Sequence, residues 1–347
     1  MDAQVATTYV TRDGDIERDR DAVLAIWRGN LGDDSRMPAK YAWFYQHAAA
    51  GAPLLQLLSA DGRDVGACAA GRRRMLRDGE PLRAGVMVDL AVLPEHRSLG
   101  PALMLQQGLA RSAGQQLDLL YGFPNPKAAP IFKRVGYRHL ADLVRMVRVL
   151  RHGPYLTRRL PAALAGPVGA IVDGCLRMRD AFLHPGMARI TTSWHDSVDS
   201  RMEALWRASR KPGGLVSVRD TGHLQWRFER APVGEFRYLL LNGPGKHALT
   251  AWFAVRAVDG TLHVHDYWSL HGPALSPVHV ASLLRAARRA GHSAVSVELA
   301  TSPAHAAPWR ALGFVERGKR PVYARWSDPS MHDAAVDLHL TAADEDE

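Results

Sequence analysis

The chain has 347 residues, with 44 Lys and Arg against 35 Asp and Glu, so its formal net charge is +9 when histidine is neutral. Hydrophobic residues make up 47% of the chain and charged residues 23%, a composition that excludes a disordered or fibrous protein. The length predicts two domains, each large enough to bury a core of its own.

Secretion, membrane insertion and disulfide scaffolding are not expected. The first residues contain neither a basic nor an apolar stretch, so no secretory signal is visible and a cytoplasmic location is expected. The most apolar stretch, 160–178, includes Asp173 and several glycines, which argue against a transmembrane helix. Cys68 and Cys175 form no CxxC pair, which argues against disulfides and a structural zinc site.

The first half predicts a mixed α/β fold whose front part is antiparallel. Its predicted front elements are a strand at 7–10, a helix at 20–29 and strands at 54–58, 65–76 and 82–92, with Asp78-Gly79 as a hairpin turn. The predicted remainder is a helix at 101–114, a strand at 117–121, a helix at 128–135 and a last strand at 143–147.

The second half of the chain weakly repeats the first. The aromatic segment around Trp43 returns around Trp226, and the Gly-aromatic pair at 136–137 returns at 313–314, so the offset between the copies is nearly constant. Each Gly-aromatic pair leads into a β-favouring run. A period of about half the chain is far too long for a solenoid, so we interpret the halves as tandem copies of one fold.

The repeat predicts the domain organisation. A first domain covers 1–150, a linker that contains Pro and Gly covers 151–195, and a second domain covers 196–330. Residues 331–347 end in four acidic residues, Asp344 to Glu347, and are interpreted as a solvated tail.

The segment 88–102 runs from a buried strand through a turn into the start of a helix. Unpaired backbone N–H groups and the positive end of the helix dipole make such a start a site for a pyrophosphate. Gly100 lets the backbone approach a ligand closely, and Pro101 suits the first helical turn because its missing N–H is least costly there. The alternative is a plain strand-turn-helix unit with an exposed Arg97.

Two motifs in this half resemble the signatures of the GCN5-related N-acetyltransferases (GNATs). Arg97, Gly100 and Ala102 fill the pattern Arg/Gln-x-x-Gly-x-Gly/Ala, and the run from Asn125 to Tyr137 is similar to Asn-x-x-Ala-x-x-x-Tyr-x-x-x-Gly-Phe. The resemblance implies tandem GNAT folds, each a mixed and mostly antiparallel sheet flanked by helices. It also implies that the first half binds acetyl-CoA or another acyl-CoA.

The resemblance further implies which residues bind this co-substrate. The strand that ends at Val92 pairs with the pantetheine arm, the N–H groups of residues 97–100 and 102 bind the pyrophosphate, and Asn125 contacts the arm. Phe132 stands where the family usually has a tyrosine that protonates the departing thiolate. The implied set is Leu90, Val92, Arg97, Ser98, Leu99, Gly100, Ala102, Asn125 and Phe132.

The second half departs further from the family. Its counterpart of the Asn motif has Ser302 and His305, and no Arg-x-x-Gly-x-Gly/Ala precedes its helix. It resembles a degenerate GNAT domain of the kind found in tandem acyltransferases such as mycothiol synthase and the Fem-type aminoacyl transferases. We expect it to shape the acceptor pocket rather than bind a second CoA.

Three residues are candidates for proton transfer. An acid on the strand beside the thioester suits a general base, so Asp89 is the first candidate, and a structural carboxylate is the alternative. Tyr121 and Tyr137 are candidate proton donors, with a place in the core as the alternative. A departing thiol with a pKa of about 8.5 needs little acid catalysis at neutral pH, so Phe132 does not forbid turnover.

Other features leave two interpretations open. The duplicated aromatic residues around Trp43 and Trp226 either line an acceptor cleft or pack the repeated fold. His263 and His265 point to one strand face, but no third ligand is evident and no metal is expected. The segment 158–179 mixes apolar residues with arginines, which suits contact with a membrane surface or a packed linker helix.

The sequence favours an acyl-CoA-dependent N-acyltransferase, in the first place an acetyltransferase, that acts on a small amine or amino sugar by direct attack on the thioester. Analogy with bacterial tandem GNATs points to surface-polysaccharide synthesis. One alternative is a transferase with an aminoacyl-tRNA or acyl carrier protein as donor, and another is a non-catalytic CoA-binding module. DNA is not an expected partner, and the oligomeric state stays open.

Overall fold

The computed structural model describes residues 7–157, 160–211, 213–244, 249–331 and 336–345. The helices and strands of the first half follow the predicted order, with ends that differ by a few residues. They are β1 (Tyr9–Gly14), α1 (Arg20–Trp27), α2 (Met37–Tyr41), a π-helix (Ala42–Gln46), β2 (Leu54–Ala60), β3 (Arg63–Arg77), β4 (Glu80–Val92), α3 (Leu99–Gly114), β5 (Leu119–Gly122), α4 (Ala129–Val135) and β6 (Arg138–Val149).

The linker and the second half continue the series. They contain α5 (Gly153–Leu156), α6 (Ala162–Leu183), β7 (Thr191–His195), α7 (Ser200–Ala208), β8 (Leu215–Ser217), α8 (Thr221–Leu224), a second π-helix (Gln225–Glu229), β9 (Arg237–Asn242), β10 (Leu249–Val258), β11 (Thr261–Ser269), α9 (Pro277–Arg289), β12 (Ala294–Thr301), α10 (Pro303–Ala311), β13 (Val315–Trp326) and β14 (Leu338–Thr341).

Local sequence explains several of these boundaries. Asp78 and Gly79 both have positive φ, 54° and 89°, which is the backbone of a tight hairpin turn, and they join β3 to β4 as predicted. Alternate residues of β3 point to opposite faces, so Ala69 packs with the cluster that includes α1 and Ala70 with the cluster that includes α3. Helices therefore cover both faces of the sheet in this half.

The predicted internal repeat is confirmed. Apart from β8 and β14, which have no counterpart in the first half, both halves present the same succession of strands and helices, and the two π-helices start at corresponding positions, Ala42 and Gln225. Trp43 and Trp226 meet between the halves with their rings stacked at 4.9 Å. Each indole N–H donates to the other's backbone carbonyl, at 2.7 and 3.1 Å. Such reciprocal contacts are those of a local two-fold axis, and they assign these buried tryptophans to packing.

The two halves share one mixed sheet and exchange their last strands. The strand order is β1-β2-β3-β4-β5-β13-β6-β12-β11-β10-β9-β7, so β13 lies between β5 and β6. Strand β6 in turn pairs with β12 of the second half. The predicted boundary at residue 150 therefore does not separate two sheets, because pairing across the local two-fold axis is decided by residues far apart in the chain.

The C-terminal segment is not the solvated tail that the sequence predicted. Strand β14 pairs with β12 and β8, and Asp344 is only 1% exposed. Its carboxylate lies 3.8 Å from the buried Arg219, and Glu345 forms an ion pair with Arg320 at 2.6 Å. The buried Arg219 and the exposed Arg320 hold these acidic residues against the fold, whereas residues 346 and 347 lie outside the described part.

The linker contains a packed helix, one of the two interpretations of segment 158–179. On the inner side of α6, Asp180 pairs with Arg288 at 2.8 Å and with Arg148 at 3.9 Å. Apolar side chains such as Ile171 and Phe182 are exposed on its outer side. None of the helices in the described ranges is long and apolar enough to span a membrane. Arg158 and Arg159 lie outside those ranges, and contact with a membrane surface stays a prediction.

Candidate functional site

A bulge in β4 and a gap beside it form the centre of the site. Strands β4 and β5 pair in parallel only over 84–86 and 119–121 and separate beyond. Opposite Cys68 the β3–β4 register shifts, which makes Asp89 and Leu90 the bulge residues. Asp89 has a φ of +52°, a conformation that aspartate adopts more readily than most residues. The bulge and the gap free the β4 edge beyond Met87 from strand pairing with β5.

Three adjacent cavities follow this edge. The loop cavity, about 620 Å³, is lined by Asn30, Leu90, Ala91, Val92, Arg97, Ser98, Ala102, Asn125, Lys127, Ala128 and Ile131. The cleft cavity, about 230 Å³, is lined by Leu31, Met87, Val88, Asp89, Leu90, Gln106, Phe123, Pro124, Asn125, Ala128 and Phe132. The front cavity, about 390 Å³, is lined by Trp27, Leu31, Gly32, Asp33, Arg36, Met37, Lys40, Trp43, Asp89, Pro232, Val233 and Arg256.

Shared residues show how these cavities adjoin. Leu90, Asn125 and Ala128 belong to both the loop cavity and the cleft cavity. Leu31 and Asp89 belong to both the cleft cavity and the front cavity. Asp89 therefore lies where a molecule that enters through the loop and one that enters from the front would meet.

The start of α3 beside the loop cavity offers backbone N–H groups to a ligand. Gly100 lies in the first turn of the helix, where N–H groups have no partner within the helix, and the Ser98 side chain provides no cap. An added Cβ at Gly100 would meet no atom within 4 Å, so the space before this turn is open. The side chains of Arg97 and Lys127 add positive charge to the same cavity.

Two of the predicted backbone donors are already used within the turn. The N–H of Arg97 donates to the Pro94 carbonyl at 3.2 Å, and that of Ser98 to the His96 carbonyl at 2.9 Å. The short 3-10 turn at Pro94–His96 causes this, because it folds the loop back on itself. Arg97 and Ser98 line the loop cavity, but their N–H groups are not free to bind a phosphate.

The cleft cavity contains polar groups from α3 and from the start of α4. The Asn125 Oδ1 accepts from the N–H groups of Lys127 and Ala128, both at 3.0 Å, which leaves its Nδ2 as the group that can reach a ligand. Gln106 is 1% exposed, and its Oε1 has no hydrogen-bond partner in the described part of the chain. Gln106 is not among the predicted site residues, because a glutamine within a helix has no distinctive local signal.

Asp89 is held by two side chains from the helical segment before β2. Its Oδ1 accepts from Lys40 Nζ at 2.6 Å, and its Oδ2 accepts from the Tyr45 hydroxyl at 2.9 Å. The Asp89 side chain is 4% exposed. A carboxylate can accept about four hydrogen bonds, so these two groups and an ammonium in the front cavity can share it. Neither Lys40 nor Tyr45 was a predicted catalytic partner.

Tyr121 and Tyr137 do not reach the site, which corrects their assignment as proton donors. The Tyr121 hydroxyl donates to the Asp344 carbonyl at 3.0 Å, and the side chain is fully buried. The Tyr137 ring packs against Phe132 at 4.8 Å. Burial raises the pKa of both hydroxyls, and neither residue lines any of the three cavities. Phe132 lines the cleft cavity, and its part in binding the co-substrate stays a prediction.

Comparison with known proteins identifies the architecture. No protein-family model matches this sequence, and no curated protein is similar to it. Among solved structures, a probable N-acyltransferase from Enterococcus faecalis V583 matches with a TM-score of 0.63 and 11% identity, over 94% of this chain and 74% of that one. A GCN5-related N-acetyltransferase from Kribbella flavida matches with a TM-score of 0.61 and 15% identity, over 94% and 72%. The chain has the GNAT fold.

A third similar structure is the glucosamine N-acetyltransferase region of a fungal multi-domain β-N-acetylglucosaminidase. It matches with a TM-score of 0.55 and 13% identity, over 94% of this chain and 39% of that one. In each of these structures the match extends over both halves of the present chain. The two halves are thus two GNAT folds in tandem, as the resemblance implied.

The second GNAT fold differs from the first at the start of its corresponding helix and beside its corresponding strand. Its helix α9 begins with a capping box in which Ser276 and His279 satisfy each other's backbone N–H groups. Strand β12, which corresponds to β5, is paired with β14 over 299–301. The second fold instead supplies Pro232, Val233 and Arg256 to the front cavity. These contributions carry no local sequence signal, because Arg256 and Asp89 lie in different halves of the chain.

Several other residues that the sequence singled out do not belong to this site. No cluster of three or more His, Cys, Asp or Glu residues suited to a metal occurs among the described residues, so His263 and His265 have no third ligand there. Cys68 is buried, Cys175 is exposed, and neither lines the three cavities. In the basic run at 72–74, Arg73 is 4% exposed and packs over Trp226 at 4.9 Å.

Proposed function

We propose that the protein is an acyl-CoA-dependent N-acyltransferase that transfers an acetyl group to a small amine or amino sugar. The observation that carries this proposal is the position of Asp89 between the cleft cavity and the front cavity. One side of this carboxylate adjoins the path along β4, and the other adjoins a separate cavity of a size typical of small-molecule sites.

The donor fits the loop and cleft cavities. The pyrophosphate of CoA binds at the first turn of α3, where Leu99 and Gly100 provide N–H groups and Arg97 and Lys127 provide charge. The pantetheine arm follows the unpaired edge of β4, within reach of the Asn125 amide. The acyl group then lies in the cleft cavity beside Phe132.

The reaction is a direct transfer. Asp89 accepts a proton from the acceptor ammonium, the neutral nitrogen attacks the thioester carbonyl carbon, and a C–N bond forms as the C–S bond breaks. Coenzyme A leaves as the thiolate and takes up the second proton that the nitrogen loses as the amide forms. A lysine-like amine has a pKa of about 10.4, which is about 3.4 units above pH 7, so a base that removes its proton contributes much to the rate. An acid in place of Phe132, which would protonate the departing thiolate, would contribute less. The N–H of Leu90 in the bulge polarises the carbonyl. Neither cysteine is needed for an acyl-enzyme.

The acceptor binds in the front cavity, whose inner wall includes the buried Trp27 and Trp43. The glucosamine N-acetyltransferase region with the same fold supports an amino sugar as this acceptor. A cytoplasmic location and a part in surface-polysaccharide synthesis belong to the same proposal, which rests for them on analogy.

Thermal denaturation with acetyl-CoA, longer acyl-CoAs and free CoA tests the donor. A ligand at 100 times its Kd stabilises the fold by about 2.7 kcal/mol, so a clear rise in Tm is expected. Gly100→Glu puts a negative side chain into the open space at the pyrophosphate and abolishes the shift. Gly114→Glu, at the other end of α3 and equally open, is the matched control and keeps it.

Turnover on a panel of amines then separates the alternatives. Transfer of acetyl groups supports the enzyme, whereas a Tm shift without turnover on any amine supports a non-catalytic CoA-binding module. Absence of any shift with acyl-CoA contradicts the proposed donor. Strong, salt-sensitive RNA binding in that case favours an aminoacyl-tRNA donor.

A further inference from the structure

Arg256 brings an unbalanced positive charge to the wall of the front cavity. It projects from β10 of the second GNAT fold, and its Nη1 donates to the Val233 carbonyl. Its guanidinium carbon lies 5.6 Å from the centre of the Phe236 ring. Its Nε is shielded from solvent and has no hydrogen-bond partner among the described residues. A guanidinium has five N–H donors, and one of those of Arg256 binds Val233.

The other cations of this cavity have carboxylate partners. Lys40 pairs with Asp89 at 2.6 Å, and Arg36 pairs with Asp33 at 3.5 Å. No carboxylate in the described ranges lies within ion-pair distance of Arg256. A guanidinium that lines a cavity without a carboxylate partner can bind an anion there through the outer N–H groups of its fork.

We propose that the acceptor carries an anionic group, a carboxylate or a phosphate, which binds Arg256 while the amine lies at Asp89. This inference rests on the proposed function, because the position of the amine follows from Asp89. The two charges of the acceptor then face opposite charges contributed by different halves of the protein. An amine without an anionic group leaves Arg256 unpaired and binds more weakly.

Calorimetric binding of matched amines tests the subsite without relying on turnover. The probes are glucosamine 6-phosphate against glucosamine and phenylalanine against phenylalaninamide, each added to the protein saturated with CoA. The anionic member of at least one pair is expected to bind about tenfold more tightly or better, the usual effect of one charge-assisted contact. Arg256→Met reduces that ratio to about one, and Arg256→Lys restores part of it.

Arg72→Met is the matched control. Arg72 is the counterpart of Arg256 in the first half, because each arginine packs against the corresponding glycine of its own half. The Cδ of Arg72 lies 3.7 Å from where a Cβ on Gly51 would be, and the Cδ of Arg256 lies 3.8 Å from where a Cβ on Gly234 would be. Arg72 donates to Ala52 and Gln116 and lines none of the three cavities, so its loss leaves the ratio unchanged. Thermal denaturation verifies that each variant is folded.

Three results overturn the inference. In the first, both members of each pair bind equally well; in the second, none of the four probes binds; in the third, Arg256→Met weakens the binding of both members equally. The proposed function fails separately. Acetyl transfer without preference for anionic amines keeps the transferase and removes the subsite. Anion-selective binding through Arg256 without any acetyl transfer keeps the subsite and removes the transferase.

Discussion

Asp89 combines a strained backbone with a firmly held side chain. Its positive φ is a consequence of the β4 bulge, and its carboxylate is aligned by Lys40 and Tyr45. Residues in such conformations persist where surrounding contacts over-determine them, and they concentrate at functional sites. The same contacts suit the alternative of a structural carboxylate, so the role of Asp89 has to be decided by kinetics.

Asp89→Asn is expected to lower kcat by about 10²- to 10⁴-fold, the usual contribution of a general base, with little change in the KM for acetyl-CoA. Asparagine tolerates a positive φ as aspartate does, so the bulge is retained. Steady-state kinetics between pH 6 and 9 measure the effect. Asp33→Asn, which changes a more exposed carboxylate of the front cavity, is the control. An unchanged kcat for Asp89→Asn across this range would remove Asp89 as the base.

At the scale of elements, the two π-helices form the contact across the local two-fold axis. Trp43→Phe removes one indole N–H and leaves the Trp226 carbonyl without its donor in a buried position. A cost of about 1–3 kcal/mol in the free energy of unfolding is expected. Trp252→Phe is the matched control, because the buried Trp252 N–H has no hydrogen-bond partner among the described residues. Equal destabilisation of the two variants in urea unfolding would contradict this prediction.

The capping box of α9 makes stability depend on pH. The neutral His279 ring accepts from the Ser276 N–H at 3.3 Å, and burial lowers the pKa of His279 to about 4. The unfolded chain, with a pKa of about 6.5, binds the proton more tightly, so stability is full above that pH and falls as pH decreases towards 4.

His279→Gln keeps a side-chain acceptor for the cap and removes the titration. Urea unfolding of the variant is expected to match that of the parent at pH 7. At pH 5 the variant is expected to be about 2 kcal/mol more stable than the parent, from about 1.5 pKa units of linkage. If the free energies of unfolding of the variant and the parent differ by the same amount at pH 5 and pH 7, the pKa of His279 is not lowered in the folded protein.

For the whole molecule, strand exchange makes the halves interdependent. Without β13, strand β5 loses the partner that pairs with it over 119–122, and β6 loses both of its neighbours. Residues 1–150 alone are therefore expected to aggregate or to lack a cooperative unfolding transition, which circular dichroism and sedimentation detect. Co-expression with residues 151–347 is expected to restore a folded complex. Cooperative unfolding of the isolated first half would contradict this account.

A protease site introduced into the linker near residue 160 provides the control for that experiment. Cleavage there leaves β6 and β13 in place, so the two fragments are expected to remain associated and to co-migrate in size-exclusion chromatography. The linker then serves as a connection, and the shared sheet holds the molecule together.

The elements and the loop that leads into α3 could be predicted because each depends on consecutive residues. The hairpin at Asp78-Gly79, the start of α3 and the internal repeat all follow from local backbone preferences and spacing. Tyr121 and Tyr137 were misassigned because residue type alone does not report which side of a strand or helix faces the core. The acidic end was misassigned because its buried partner, Arg219, lies in a distant part of the chain.

The sequence by itself determined the fold of each half, the duplication, and the motif residues that line the loop cavity. Only the tertiary structure decided that the last strands are exchanged, that Lys40 and Tyr45 hold Asp89, and that the second half contributes Arg256 to the front cavity. The physical reason is the range of the interactions. Helix starts and turns are set by neighbouring residues, whereas strand pairing, burial and ion pairing join residues whose separation in the chain leaves no local pattern.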